Sequence, residues 1–364
     1  MGAVFVLLRL ALVAKGDITR FVFAGSQYVN PALAPRGLHV FRGSGYDGEF
    51  YYRLALDPLD LGRTAFGIRL DAPFRVERIG LPVLSWLAAA GNHSLVPDAE
   101  VAVNLAALFV LGWLAGVLAR QSGRHAAWGL LVAGFWGFLF SLGRDLPEVV
   151  ASCFLVGGLV SLRRQQPLLA GVLLAGAVLS LETTLDVVAA VAIVDVVALL
   201  WHRSRPRHQE MAWVVPCLAF AAWQLYARQI TGTIPLRSGG GNLSTPVVNM
   251  LGAIAHYLKG LPSTGSAIWL SEFAVLAVVT VVAASVLRRS NMRSWEVVAW
   301  VIALLVAISL AHGIWYGRAD FRGFEDLYVL SAMAMLGSKI SLKFPVALVS
   351  LMYVLTFAHR VVRL

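Results

Sequence analysis

Two carboxylates and three tyrosines are crowded into residues 45–52 (GYDGEFYY), near the start of the chain. Gly48 follows Asp47, so the backbone can turn sharply there and present the carboxylate. Such a carboxylate can accept a proton from an acceptor hydroxyl, which predicts Asp47 as a general base and Glu49 as a second catalytic carboxylate. The alternative interpretation is that Asp47 only caps a turn. The aromatic side chains whose flat faces would suit stacking on a sugar ring are Tyr46, Tyr51 and Tyr52.

Six charged residues farther along the chain are candidates for binding a phosphate or the substrate around it. Arginine suits this role because its planar guanidinium binds phosphate through two parallel hydrogen bonds. Arg318 and Arg322 are four residues apart and would share one face if their segment were helical. A carboxylate at membrane depth, such as Glu182, is costly and therefore indicates function. The six candidates are Arg75, Arg78, Glu148, Glu182, Arg318 and Arg322.

Each of these candidates also has a structural interpretation. The first two arginines lie among acidic residues and could simply pair with them in solvent. Glu148 directly follows a proline, and this combination is typical of a helix start. Glu182 could form a structural salt bridge, and the two later arginines could anchor their segment by pairing with Glu325 and its neighbour Asp326.

The composition argues against two other kinds of site. Cys153 and Cys217 lie inside apolar stretches without CxxC or Cys/His spacing, so they predict neither a disulfide framework nor a zinc site. The formal net charge of +10 is spread over short clusters between apolar stretches, which disfavours a nucleic-acid partner. No cofactor is expected, although Asp47 and Glu49 could bind a divalent cation if the chemistry required one.

The elements that must position these residues are membrane-spanning helices. With 59% hydrophobic and 14% charged residues, the 364-residue chain lies outside the range of soluble globular domains. The predicted fold class is an all-α polytopic membrane protein that forms a single integral membrane domain over 1–364. Because a span needs about 20 apolar residues, about eleven spans are predicted, near 2–14, 99–119, 126–142, 147–162, 167–181, 185–201, 211–228, 266–287, 295–315, 324–338 and 344–359.

The distribution of charge predicts the side of the membrane on which each loop lies. Basic clusters occur at 120–124, 163–164, 203–207, 288–293 and 339–343. By the positive-inside rule these loops are cytoplasmic, which predicts a multi-pass protein of the inner (plasma) membrane. The alternate loops, which contain or border all the candidate residues, then face the periplasm or the outside and are 15–98, 143–147, 181–186, 229–265 and 316–325.

Two shorter apolar segments in the outer loops predict interfacial helices. Residues 78–91 are apolar but too short to span the membrane. Within 229–265, the residues Val247, Leu251, Ile254 and Leu258 are spaced to form one apolar stripe of a helix lying on the membrane. The first outer loop, 15–98, therefore combines the candidate catalytic motif with one such helix.

The order of these features resembles the GT-C fold of integral membrane glycosyltransferases, which use polyprenyl-phosphate sugar donors. The similarity in architecture covers most of the chain, while the specific motif lies in its first 90 residues or so. Residues 45–58 (GYDGEFYYRLALDP) and 75–82 (RVERIGLP) look most like bacterial membrane proteins assigned to cell-surface glycopolymer formation. They are distantly similar to the Trp-Asp-Gly loop of glycosylphosphatidylinositol mannosyltransferases.

The resemblance implies an inverting displacement at the sugar C1, with a lipid phosphate as leaving group. Asp47 would deprotonate the acceptor hydroxyl, and Arg322, with Arg75 or Arg78, would stabilise the departing phosphate. The implied partners are a polyprenyl-phosphate sugar donor, a cell-envelope glycan or lipid acceptor, and membrane lipids.

The sequence departs from the family pattern at two positions. Residues 181–183 (LET) are similar to a Lys/Arg-Glu-Thr element of the superfamily, but Leu181 stands where a cation is often found. Many relatives carry paired acidic residues in the first loop. Here Tyr46 precedes Asp47, so the pair is lost unless Glu49 substitutes for its second member.

Two other functions compete with this interpretation. A transporter or flippase of lipid-linked sugars would also use arginines and a wide outer vestibule, but transporters tend to show paired repeats, and this sequence shows none. A non-catalytic assembly subunit would leave the carboxylates and aromatics of the first outer loop without a role.

Overall fold

The computed structural model describes residues 1–201 and 208–362; the basic cluster predicted at 203–207 lies outside them. About 70% of the chain is helical. The strands of the described residues have two residues each and form a parallel pair, β1 with β2, and an antiparallel pair, β3 with β4. They are Ala24–Gly25 (β1), Val40–Phe41 (β2), Thr64–Ala65 (β3) and Ile68–Arg69 (β4). The predicted all-α class is therefore confirmed.

Helices make up the rest of the described framework and are labelled α1 to α17 in chain order. They are Gly2–Leu12, Gly48–Leu56, Gly80–Ala88, Val96–Gln121, Leu130–Ala133, Gly137–Leu142, Glu148–Arg163, Pro167–Ser180, Leu185–Leu200, Met211–Thr231, Pro235–Ser238, Val248–Lys259, Thr264–Val286, Ser294–Ile308, His312–Trp315, Glu325–Leu336 and Lys343–Val361. Short 3-10 turns join several of them, including Pro73–Glu77, Glu182–Thr184 and Arg322–Phe324.

The predicted count of eleven membrane spans is wrong. Within the described ranges, four helical segments are long and apolar enough to cross a membrane: His93–Gln121, Glu182–Leu200, Thr264–Arg289 and Lys343–Val361. Most other predicted spans coincide with helices that are too short, because α7, α8 and α14 have 16, 14 and 15 residues where about 20 are needed. The predicted span at 126–142 is broken into a 3-10 turn, α5 and α6.

Both segments predicted as interfacial helices are helical. The first forms α3 and the second forms α12. In α12, Leu251 and Leu258 are each more than half exposed, whereas Ala253 and Tyr257 pack against the protein. Of the predicted apolar stripe, Leu251 and Leu258 are therefore turned away from the rest of the chain, whereas Ile254 packs against the core and Val247 precedes the helix.

Each end of α7 carries an ion pair that involves a residue of one of the predicted loops or basic clusters. At the first residue of this helix, Glu148 meets Arg322 of the predicted outer loop 316–325. At its last residue, Arg163 forms an ion pair with Glu296 at the start of α14. Since α7 rises about 1.5 Å per residue, the two contacts are roughly 22 Å apart along the helix. Arg322 of a predicted outer loop and Arg163 of a predicted cytoplasmic cluster therefore lie at opposite ends of this helix.

Candidate functional site

Glycines fix the backbone on both sides of Asp47. A Cβ atom added at Gly45 would lie 2.5 Å from the Gly25 nitrogen, and one added at Gly48 would lie 2.3 Å from the Arg144 carbonyl oxygen. Both contacts are with backbone atoms, which cannot move aside as a flexible side chain could. The motif is therefore glycine-flanked because two other stretches of chain approach it closely, in addition to the turn that the sequence predicts.

Asp47 lies between two arginines. It precedes the first residue of α2, but its side chain makes no capping hydrogen bond. One carboxylate oxygen instead forms an ion pair with Arg75 at 2.9 Å, and the other accepts a hydrogen bond from Arg322 at 2.7 Å. Arg322 is 275 residues away in sequence and begins the 3-10 turn before α16. The interpretation of Asp47 as a mere turn cap is thus not supported.

The arginines also determine the charge state of Asp47. Burial by itself would raise the pKa of this carboxyl, but the positive charges around it, chiefly Arg322 and Arg75, outweigh burial and hold the pKa below its usual range. Asp47 is therefore ionised at neutral pH. A carboxylate with a lowered pKa is a weak base, so its proton affinity depends on whether the arginines remain paired with it.

Arg75 is oriented by its neighbours as well as by Asp47. Its guanidinium donates two hydrogen bonds, both at 2.9 Å, to Asp71 four residues earlier. It also lies over the rings of Phe50 and Phe74, at 4.7 and 4.5 Å from their centroids. The alternative that Arg75 pairs with a neighbouring acidic residue is thus realised through Asp71, but Arg75 also binds Asp47, the candidate base.

A second ion pair adjoins the first. Arg78 donates to both carboxylate oxygens of Glu182, at 2.7 and 2.5 Å, and to the Tyr51 hydroxyl at 3.1 Å. The cation that pairs with Glu182 thus comes from the first loop, as Arg78. This geometry agrees with the structural interpretation of Glu182 as a salt-bridge residue, because the ion pair connects the first loop to the turn before α9.

Glu148 completes the group through Arg322. Its carboxylate accepts hydrogen bonds from the Arg322 guanidinium and, at 2.8 Å, from the Ser141 hydroxyl. Arg322 therefore bridges Glu148 and Asp47, and does not pair with Glu325 or Asp326 as the anchoring interpretation would require. We call this set the Asp47 cluster; it comprises Asp47, Arg75, Glu148 and Arg322, which these contacts join, and the adjoining pair Arg78 and Glu182, whose arginine acts on Asp47 through its charge.

Glu49 lies beneath the motif rather than in the Asp47 cluster. Only 1% of the residue is exposed, and its carboxylate accepts a hydrogen bond from the Gly25 backbone N–H at 2.7 Å. Burial raises the pKa of Glu49 to about 7, although the hydrogen bond from Gly25 acts in the opposite direction. In this structure Glu49 fastens β1 to the motif.

The three tyrosines occupy different environments. Tyr51 and Tyr52 are both buried, and Tyr52 packs in the hydrophobic core of the first loop with Val22 and Val96. Neither ring presents an open face. The ring of Tyr46 is partly exposed, and the guanidinium carbons of Arg144 and Arg322 lie 4.8 and 5.3 Å from its centroid. Of the three stacking candidates, Tyr46 alone borders the Asp47 cluster with an accessible ring.

Arg318 is separated from Arg322, contrary to the shared helical face considered for them. The helix α15 ends at Trp315, and Asp320 and Phe321 have positive φ angles of 51° and 55°, so the segment between the two arginines is not helical. Arg318 is exposed, and its guanidinium lies beside Gly265 at the start of α13. It makes no contact with the Asp47 cluster in the described part of the chain.

The sequence suggested no functional role for two residues beside the candidate site, Arg144 and Ser141. Arg144 stacks on Phe23, Tyr46 and Phe140, at 4.0, 4.8 and 4.9 Å from the ring centroids. Ser141 donates to Glu148. Neither residue stands in a recognisable motif. The only available signal was that Arg144 precedes the acidic residues at the start of α7.

The arrangement combines three carboxylates with three guanidinium groups, and the side chains of Asp47, Glu182 and the three arginines remain 11 to 17% exposed. Such a group can bind a phosphate and place a carboxylate next to it. Among the described residues, no set of three or more His, Cys, Asp or Glu side chains is arranged to hold a metal ion. No family model, curated protein or solved structure matches this chain.

Proposed function

We propose that this protein is a membrane glycosyltransferase that moves a sugar from a polyprenyl-phosphate donor to a cell-envelope glycan or lipid, with the Asp47 cluster as its active site. The observation that supports the proposal most directly is the placement of Asp47 between Arg75 and Arg322. A base for the acceptor hydroxyl and cations for the leaving phosphate would be needed within a few ångströms of each other, and this cluster brings those groups together.

In the proposed reaction, the acceptor oxygen forms a bond to the sugar C1 as the bond from C1 to the phosphate oxygen breaks. The acceptor proton passes to Asp47, and the phosphate leaves with the bonding electron pair, stabilised by Arg75 and Arg322. One displacement inverts the anomeric configuration. The cluster would face the periplasm or the outside of an inner membrane, as the charge pattern of the loops predicts.

Donor binding would also activate the base. A phosphate, like a carboxylate, accepts paired hydrogen bonds from arginine, so the donor would compete with Asp47 for Arg75 and Arg322. Loss of these partners would raise the pKa of Asp47 from its lowered value. The carboxylate would thus become a stronger base only when the leaving group is in place.

The test is a transfer assay on purified wild type and Asp47→Asn. Each protein is given a panel of radiolabelled polyprenyl-phosphate sugars with a membrane lipid extract as acceptor. We expect transfer by the wild type and a loss of roughly 100-fold or more in Asp47→Asn, because a positioned general base contributes about 10² to 10⁴ in rate.

Asp57→Asn is the matched control, because Asp57 is an exposed carboxylate near the end of the same stretch and accepts only a backbone hydrogen bond from Leu59 at 3.0 Å. It should retain full transfer. Transfer that survives Asp47→Asn would move the base elsewhere. If the wild type binds labelled donor but transfers no sugar, this result would contradict the proposed enzymatic activity and favour a transporter of lipid-linked sugars.

A further inference from the structure

A cavity of about 670 Å³ opens at the end of α7 opposite the Asp47 cluster. It lies where the ends of α4 and α7 meet the segment between α13 and α14. Its volume falls within the range of about 300 to 1,000 Å³ that is usual for small-molecule sites. The polar residues that line it are Arg120, Gln121, Arg163, Arg164, Asn291 and Arg293.

The positive charge of this cavity is largely uncompensated. Arg163 is neutralised by Glu296, to which it donates hydrogen bonds at 2.5 and 2.9 Å. Arg293 donates to the backbone carbonyl of Arg163 at 3.3 Å, which orients its guanidinium without cancelling its charge. No lining residue is acidic. The cavity therefore carries the charges of three arginines in excess.

Two of these arginines have side chains that are free to bind a ligand. Arg120 and Arg164 are exposed, and neither side chain has a hydrogen bond or ion pair with any described part of the protein. They come from the last turn of α4 and the residue after α7, respectively. Two unpaired guanidinium groups that reach one cavity from different helices form a suitable site for an anion with several oxygens.

The position of the cavity favours a ligand at the membrane surface. Val117, which also lines it, belongs to the segment His93–Gln121, one of the four that can cross a membrane. The cavity therefore opens within about one helical turn of the end of a span, at the depth where lipid headgroups lie. Basic pockets between spanning helices are known to bind anionic headgroups.

We propose that this cavity binds a phosphate-bearing anion, supplied by a lipid headgroup or by a free phosphate compound. The site is separate from the Asp47 cluster, since the two lie at opposite ends of α7. It does not depend on the proposed transfer reaction.

The experiment measures ligand binding to the purified full-length protein in neutral detergent by native mass spectrometry and calorimetric titration. The probes are dioctanoyl phosphatidylglycerol, zwitterionic dioctanoyl phosphatidylcholine and inorganic phosphate. We expect the anionic lipid to bind and the zwitterionic lipid to bind at least tenfold more weakly. The double variant Arg120→Gln/Arg164→Gln should weaken phosphatidylglycerol binding by about 100-fold, roughly tenfold for each charge-assisted contact.

The matched control is Arg288→Gln/Arg289→Gln, which removes the same charge from an exposed 3-10 turn beside the cavity but not lining it. It should bind the anionic lipid like the wild type. Inorganic phosphate binding more tightly than phosphatidylglycerol would support the anion site and identify a free phosphate compound as its ligand. Unchanged binding in the Arg120/Arg164 variant, equal weakening in the control, or no binding of either anion to the wild type would overturn the proposal.

Discussion

The ion pair between Arg78 and Glu182 allows a direct test of what holds the first loop in place. It joins residues 104 apart in sequence through two hydrogen bonds of 2.7 and 2.5 Å, with 11% of the Arg78 side chain and 16% of the Glu182 side chain exposed. The change Arg78→Met keeps most of the side-chain volume but leaves Glu182 without its cation. The same change removes the 3.1 Å hydrogen bond to Tyr51.

Removing one partner of a buried ion pair costs about 3 to 5 kcal/mol. Because Glu182 is partly exposed and can recruit water, we expect Arg78→Met to lower the free energy of unfolding by about 3 kcal/mol, at the lower end of that range. Replacing both residues, as Arg78→Met/Glu182→Met, leaves no unpaired charge. The double variant should therefore be much more stable than Arg78→Met and lie within about 1 kcal/mol of the wild type.

The assay is equilibrium unfolding in mixed micelles, run as a double-mutant cycle with Glu182→Met as the fourth corner. Arg69→Met is the control, because Arg69 is exposed and its guanidinium lies over the ring of Tyr28, 5.7 Å from the centroid. It should change stability by about 0.5 kcal/mol or less. A loss in Arg78→Met no larger than in Arg69→Met, or a double variant as unstable as Arg78→Met, would refute the reasoning.

Three further predictions concern the motif and its partners. Gly48→Ala should destabilise the protein by about 1 to 3 kcal/mol, because its Cβ would lie 2.3 Å from a backbone carbonyl oxygen; Gly241→Ala, whose Cβ meets nothing within 4 Å, should not. The pKa of Glu49 is raised from 4.5 to about 7, so the folded state binds this proton more tightly and stability falls as pH rises through that interval. The unfolding midpoint of Glu49→Gln, measured against pH, should not show the part of the decline that the wild type owes to this group. Parallel pH profiles of the two proteins would contradict the raised pKa of Glu49. Arg322→Lys should lose roughly 100-fold in sugar transfer, because an ammonium cannot supply the planar fork. Arg318→Lys should transfer normally, and an equal loss there would count against the site.

The sequence could predict those features that depend on local composition and spacing. The high apolar content favours helices, and the described chain is almost entirely helical outside its loops. The spacing of residues 247–258 predicted a helix, which α12 forms with Leu251 and Leu258 exposed on it. The alternation of basic and acidic loops predicted two groups of loops, and Arg322 from one group and Arg163 from the other lie at opposite ends of α7. These outcomes follow because helix periodicity and the partitioning of charge act over a few neighbouring residues.

Tertiary packing decided the rest. Arg75 and Arg322 meet at Asp47, although 247 residues separate these two arginines in a chain without detectable repeats. Arg318, only four residues from Arg322, is directed elsewhere by the two positive φ angles between them. The sequence pattern also could not predict how many helices can span a membrane or which residue pairs with Glu182. Contacts across such separations depend on how whole helices pack, and a buried charge takes whichever opposite charge that packing brings within reach.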